Sequence, residues 1–364
     1  MKKVLFLIVP FLTLFLSGCA RNADMSCVNL SSVDGFFAMK SKIVSGEKII
    51  QKDWDSLFNT KGYSISATSS MRKNIVKEMM LTAFDKNLKE KRDSILNIPV
   101  EQNLKNVYML LSQMTLANYM DYSENEAKIK KFKNEYDFSA IPKLSAERLK
   151  SFLIDPVDSL IKVPVINFLC YEPDAQSKAK GIVCDFNLFS KESAKERINF
   201  IAHETFHKYR RNFADRRFIN SHAVLRQIDR IQDEGIADLI DKKENLRESV
   251  ENKGIPEPFV KKYLEAYENT PQILKKFDGI INSYLNKEID GEQLESKVDN
   301  YFLSGGHPNG YYMSRMIVRA GLKNEMLTKF YSPVDFIKIY NKAARIENGY
   351  VFSDSFINYL ESLK

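Results

Sequence analysis

Two of the four histidines in this 364-residue chain lie in one pentapeptide, His203-Glu204-Thr205-Phe206-His207. On an α-helix, side chains four residues apart point the same way, so both imidazoles can reach one metal ion. Glu204 lies about 100° further round such a helix, where it can take a proton from a water beside the ion. The pentapeptide therefore predicts a metal-binding helix. Two solvated histidines, or two buried structural ones, are the alternative at this stage.

The residues around the pentapeptide also favour a helix. Ser193 and Glu196 have the spacing of a capping box, in which each side chain accepts a hydrogen bond from the other residue's backbone N–H. The face opposite the histidines carries mainly apolar side chains: Ile198, Ile201, Ala202, Thr205, Phe206 and Tyr209. The predicted helix thus has one face that can pack and one that can bind.

A catalytic zinc needs a third protein ligand, and the segment QDEGIAD offers one. Glu234 and Asp238 are one helical turn apart, so Glu234 can bind the ion while Asp238 orients a ligand histidine. Gly235 and Ala237 are small and would let two helices approach closely. An acidic patch on a charged helix is the alternative, and His222 is another candidate ligand without a supporting pattern.

Together, HETFH followed downstream by EGIAD resembles the gluzincin metallopeptidases, whose pattern is HExxH and then ExxxD. The resemblance implies one zinc ion per chain, held by His203, His207 and Glu234. It also implies that Glu204 is the general base and later the acid, and that Asp238 supports a ligand. Segments near both ends, WDSLFNTKGY and SGGHPNGYYMSRMI, are similar to a bacterial family of zinc-dependent peptidases with no established substrate, over residues from about 34 to 350.

The segment GGHPNGYYM supplies candidates for a further catalytic role. Attack on a peptide carbonyl creates an oxyanion, and peptidases of this type usually add a His or Tyr donor to stabilise it. His307 and Tyr312 follow a Gly-Gly turn that can bring them to the edge of a cleft; a loop histidine and a packing tyrosine are the alternative. By its position, the segment CDFNLF corresponds to the substrate-pairing edge strand of gluzincins.

The N-terminus predicts export and lipidation. Residues 1–18 have two lysines, an apolar run and small residues, as in a secretory signal peptide. Leu16, Ser17, Gly18 and Cys19 resemble a bacterial lipobox, which implies cleavage before a lipidated Cys19 and a tether over residues 19–33. We therefore expect a location in the bacterial cell envelope, outside the cytoplasm, at the periplasmic side or the cell surface.

Two further cysteines, Cys170 and Cys184, flank a turn-rich segment, and export would permit a disulfide between them. Two buried thiols are the alternative. The formal net charge of +7 is spread along the chain rather than concentrated, so nucleic acid is not an expected partner.

Periodicity divides the chain into a helical region at 34–155, a catalytic core at 156–245 and a C-terminal helical region at 246–364 that completes the site. VPVINFLCY and KGIVCDFNLF are rich in β-branched and aromatic residues and predict a hairpin. The predicted fold is α+β and predominantly α-helical. It has a zincin-like core with a small antiparallel sheet and the HExxH helix, flanked by helical regions.

These features favour a membrane-anchored zinc peptidase acting on a peptide or protein substrate. No aminopeptidase signature of the GxMEN type is present, which favours an endopeptidase. The alternative is a non-catalytic, zinc-containing surface lipoprotein that binds a peptide or a partner protein. Glu204 speaks against that alternative, because a binding protein does not need a carboxylate between two metal-ligating histidines.

Overall fold

A computed structural model describes residues 27–103, 106–153, 161–251 and 256–363. The predicted signal peptide, Cys19, most of the tether and the boundary at residue 155 lie outside these residues. Within the described ranges, no helix is both long enough and apolar enough to cross a membrane.

Helices make up most of the fold, and four short strands form one sheet. The strands are β1 Val28–Asn29, β2 Ile166–Leu169, β3 Ala175–Lys178 and β4 Gly181–Asp185. The helices before the sheet's second strand are α1 Ser31–Ser45, α2 Gln51–Phe58, α3 Lys61–Ser66, α4 Ser70–Phe84, α5 Lys89–Leu96, α6 Val100–Asn103, α7 Val107–Glu124, α8 Glu126–Glu135 and α9 Ile141–Lys150. Those after it are α10 Phe186–Lys191, α11 Ala194–Arg210, α12 Arg216–Asn220, α13 Ala223–Asp241, α14 Leu246–Glu251, α15 Glu257–Glu268, α16 Thr270–Leu285, α17 Gly291–Val298, α18 His307–Arg319, α19 Lys323–Thr328, α20 Pro333–Ile346 and α21 Asp354–Ser362.

The sheet is mixed, with the order β1-β2-β4-β3. β2 runs parallel to β1 and to β4, and only β3 and β4 are antiparallel. The prediction of a predominantly α-helical α+β fold is confirmed, but the antiparallel sheet is wrong. Every residue of β2 and β4 is buried, as is usual for interior strands of a parallel sheet, and the hairpin with β4 is formed by the polar strand β3.

The two cysteines near the sheet are buried thiols, so the predicted disulfide is wrong. Phe168 pairs with Cys184 across β2 and β4, and Cys170 lies two residues beyond Phe168. That diagonal offset places the two Cα atoms about 8 Å apart, beyond the reach of a disulfide. Both cysteines serve the apolar core instead.

The helix that carries the pentapeptide joins two apolar cores. Ile201 of α11 packs in the core formed by the N-terminal helices and the sheet, whereas Phe206 packs in the core of the C-terminal helices. The predicted capping box at Ser193 and Glu196 is present and starts the helix. Because it is buried against both cores, α11 has a fixed position between the sheet and the C-terminal helices.

Candidate metal centre

Three helices meet at the candidate site: α11, α13 and the start of α18. The backbones of α13 and α18 touch where Gly235 lies against Gly310, and a Cβ on either glycine would overlap the other helix. The sequence predicted that Gly235 allows a close approach, and the structure identifies the partner helix. This contact brings Glu234 on α13 next to His307 on α18.

Four side chains are here called the donor cluster, because the Nε2 atoms of three histidines lie around one carboxylate oxygen of Glu234: His203, His207, Glu234 and His307. The Nε2 atoms of His203 and His207 are 3.1 Å apart. Glu234 Oε2 lies 3.2 Å from His207 Nε2 and 3.7 Å from His203 Nε2. His307 Nε2 is also 3.2 Å from this oxygen. The structure thus brings together the three predicted ligands and His307.

Each histidine of the donor cluster has an aspartate beside its other ring nitrogen, Nδ1. The nearest contacts are His203 with Asp241 at 2.9 Å, His207 with Asp233 at 3.0 Å, and His307 with Asp238 at 3.1 Å. Asp238, predicted to orient a ligand histidine, therefore contacts His307 more closely than His203, which is 3.7 Å away. A carboxylate at Nδ1 fixes the tautomer and orientation of an imidazole, as is common for histidines that bind metals.

Opposite charges offset the burial of these groups. Burial alone would lower the pKa of His203, but Asp241 and Glu234 raise it to about 10. Burial would likewise raise the pKa of Glu234, yet His207 and His307 hold it well below its usual range. The site is therefore strongly anionic once its histidines are neutral, which favours a bound cation.

Glu204 is buried between the two histidines of the pentapeptide, with only 4% of its surface exposed. One of its carboxylate oxygens lies within 4.8 Å of a ring nitrogen of His203 and of His207. Burial raises its pKa, and the two histidines oppose that shift. A carboxyl group whose pKa lies nearer neutrality is suited to accepting and returning a proton.

The residues present fit zinc. Glu234 Oε2 is buried and has no hydrogen-bond partner among the described residues, although three imidazole nitrogens surround it. Ligand atoms about 2.0–2.1 Å from a tetrahedral zinc are about 3.3 Å apart. The separations of 3.1, 3.2 and 3.7 Å among His203, His207 and Glu234 lie near that value.

A cavity of about 360 Å³ opens in front of the donor cluster. One wall is apolar and consists of Phe200, Val250, Phe259 and Tyr263. Another includes Ala175, Gln176 and Ser177 of β3, the edge strand. The predicted edge segment CDFNLF is wrong, because β4 lies between two other strands and residues 186–191 are helical.

Tyr312 is not brought to the cavity. It is half-buried against the C-terminal core, with its ring 5.6 Å from that of Tyr267. Tyr263 lines the cavity instead, and its buried hydroxyl has no hydrogen-bond partner in the described part of the chain. His222 lies at the start of α13 and contacts Ser221 rather than the donor cluster.

The sequence contained a signal for one missed residue. Glu234, Asp238 and Asp241 recur at four and three residues along α13, so Asp241 belongs to the same helical face. Asp233, beside Glu234, reaches His207 only because α13 crosses α11 at this point. Tyr263 stands in an ordinary amphipathic helix, and nothing in its local sequence distinguishes it.

Comparison with known proteins identifies the family to which this chain belongs. No curated protein and no solved structure was found to match the chain. A family model matches residues 54–349, which contain the whole donor cluster and its aspartates. The chain belongs to the family described as "Putative zinc dependent peptidase (DUF5700)".

Proposed function

We propose that this protein is a zinc-dependent endopeptidase, anchored to a bacterial membrane by a lipid on Cys19 and acting outside the cytoplasm. His203, His207 and Glu234 would hold one zinc ion per chain. The family, the zinc-compatible spacing of the three donors and the adjoining cavity support this proposal. The lipobox-like segment supports the anchor.

Glu204 is the proton carrier in the proposed reaction. When bound, zinc would supply Lewis-acid polarisation of the scissile carbonyl and a lowered pKa for a water. Glu204 accepts the proton of the attacking water and returns it to the leaving amine. Its burial beside both histidines keeps the carboxylate within reach of that water and excludes bulk solvent.

Tyr263 is the proposed hydrogen-bond donor to the oxyanion. Its hydroxyl is buried at the cavity wall, and it lacks a hydrogen-bond partner among the residues described. Burial, together with the negative charge of Asp238, raises the pKa of Tyr263 well above its usual value. The phenol therefore keeps its proton and can donate it in a hydrogen bond.

The cavity walls favour an extended peptide with an apolar side chain as the substrate. β3 is an edge strand, so its outer side can pair with the main chain of a peptide. The wall formed by Phe200, Val250, Phe259 and Tyr263 can bury an apolar side chain next to Glu204, because Phe200 is one helical turn from Glu204 on α11.

The rival function is capture of a peptide or partner protein without cleavage. The position of Glu204 is the observation that distinguishes hydrolysis from binding alone. A buried carboxylate with a raised pKa costs stability, and a binding site has no use for it. We therefore favour hydrolysis.

The deciding experiment measures zinc content and cleavage of fluorescently labelled casein for the mature protein and for Glu204→Gln. We expect one zinc in both proteins and a loss of activity of about 100-fold or more in the variant. Glu135→Gln, an exposed change on α8, is the matched control and should be fully active. Zinc with no cleavage by the wild type would support the binding protein, and absence of zinc would contradict both functions.

The anchor is tested separately by expressing the full chain with Cys19→Ala. We expect the wild type in the membrane fraction with incorporated labelled palmitate. The variant should carry no label and should leave that fraction. A wild-type protein that is soluble and unlabelled would contradict the anchor while leaving the peptidase proposal intact.

A further inference from the structure

His307 stands in the same relation to Glu234 as the two histidines of the pentapeptide do. Its Nε2 atom is 3.2 Å from Glu234 Oε2, the same separation as for His207 and shorter than the 3.7 Å for His203. These values lie near the separation of about 3.3 Å expected between two ligands of one tetrahedral zinc.

We propose that His307 is a fourth protein ligand, which completes a set of three histidines and one glutamate around the zinc. This inference rests on the proposed function, since it takes zinc to be bound by His203, His207 and Glu234. It replaces the expectation that His307 only donates a hydrogen bond to an oxyanion.

The environment of the His307 ring supports a role as a zinc ligand rather than as a hydrogen-bond donor to the oxyanion. Asp238 is fully buried and contacts Nδ1 of His307, as Asp241 and Asp233 contact Nδ1 of the other two rings. This leaves Nε2 as the nitrogen that faces Glu234 Oε2, the oxygen that also lies near Nε2 of His203 and of His207. A residue that only stabilises an oxyanion would need Nε2 directed at the substrate, whereas here it points at Glu234.

A full set of four protein ligands leaves no position for water on a tetrahedral zinc. With zinc held by all four side chains, a water or substrate would have to displace one of them. His307 is the ligand suited to leave, because 28% of its side chain is exposed, compared with 6% for His203 and 8% for His207.

The backbone before His307 also differs from that of the other ligands. His203 and His207 lie inside α11, whereas His307 begins α18 directly after three residues with positive φ: Ser304 at 51°, Gly305 at 67° and Gly306 at 98°. Left-handed backbone is unfavourable for Ser304, which gives this turn a conformation that other contacts must maintain. Displacement of His307 therefore requires a change in one turn and leaves α11 and α13 in place.

The test uses the cobalt-substituted mature protein, because the visible absorption of cobalt reports its ligands independently of activity. For the wild type we expect a spectrum that changes little when azide is added. For His307→Ala we expect a shifted spectrum that responds to azide, and zinc affinity at least about tenfold weaker. His222→Ala changes the one histidine outside the cluster and should match the wild type.

His307→Gln, which preserves more of the side-chain volume, guards against a folding defect in the alanine variant and should give the same result. Cobalt bound with identical spectra for wild type and both variants would overturn the fourth-ligand proposal while leaving the zinc peptidase intact. A wild-type protein that binds neither cobalt nor zinc would overturn the proposed function itself.

Discussion

Two of the buried polar clusters in the described part of the chain differ in what their polar atoms face. The first is the donor cluster, His203, His207, Glu234 and His307, at the wall of the cavity. The second, here called the sheet cluster, consists of Asn118, Tyr122, Asp185 and Asn187 beneath the end of β4.

In the sheet cluster, hydrogen bonds satisfy the central carboxylate completely. Asp185 is fully buried and accepts hydrogen bonds from the Asn118 amide, the Tyr122 hydroxyl and the backbone N–H groups of Tyr171 and Leu188. In the donor cluster, three imidazole nitrogens lie around Glu234 Oε2, and this oxygen accepts no hydrogen bond from the described chain. Burial of a polar group therefore does not identify a functional site, but convergence of unsatisfied ligand atoms on a cavity does.

The largest difference in zinc affinity is expected between variants that lack the central carboxylate of one cluster or of the other. Glu234→Ala should weaken zinc binding about 100- to 1,000-fold, since one ligand supplies about a quarter of a zinc binding energy of order 10–16 kcal/mol. Asp185→Asn should bind zinc like the wild type, because Asp185 belongs to the other cluster. Competition with a chromophoric chelator measures both affinities. Equal zinc affinity for Glu234→Ala and the wild type would remove Glu234 from the ligand set.

The sheet cluster should contribute a part of the pH dependence of folding that belongs to one residue. Burial outweighs the four hydrogen bonds and raises the pKa of Asp185 to about 7, from an ordinary value of 3.8. Because the folded state binds this proton more tightly, the resulting stability is fully present below about pH 4 and is lost as the pH rises through about 7. The difference amounts to about 4 kcal/mol.

Asp185→Asn cannot titrate, so it isolates this contribution. Between about pH 4 and pH 8, the unfolding free energy of the wild type should fall by about 4 kcal/mol more than that of the variant. Urea denaturation at several pH values measures both slopes in the metal-free protein. Parallel slopes would show that the Asp185 carboxylate titrates normally in the folded protein.

The glycine contact between α13 and α18 provides a geometric test of the donor cluster. Gly310→Ala forces a Cβ into the backbone of α13 and should cost about 1–3 kcal/mol of unfolding free energy. It should also weaken zinc binding, because α18 carries His307. Gly279→Ala on α16 is the matched control, since its Cβ would meet no atom within 4 Å. A Gly310→Ala protein with unchanged stability and zinc affinity would show that the two helices separate without affecting the site.

Local sequence predicted those parts of the donor cluster that lie on a single helix. The spacing of His203 and His207, and that of Glu234 and Asp238, follows from the helical repeat. The place of His307 depends on how α18 crosses α13, which is a tertiary contact between two glycines far apart in the chain. The antiparallel sheet was predicted wrongly for the same reason, because the partner of β2 is decided by burial on both faces and not by the loop that follows it.

The smallest expected effect concerns Asp241, the aspartate that the helical repeat of α13 would have revealed. Asp241→Asn keeps the shape of the side chain but removes the charge beside His203 Nδ1, so zinc affinity should fall about 10- to 100-fold. Asp55→Asn, an exposed change on α2, is the control. Asp241 also contacts buried Lys242, 3.1 Å away, which offers a purely structural role. Reduced stability with unchanged zinc affinity would assign Asp241 to that ion pair, whereas reduced affinity would make it part of the metal site and extend the contrast with Asp185.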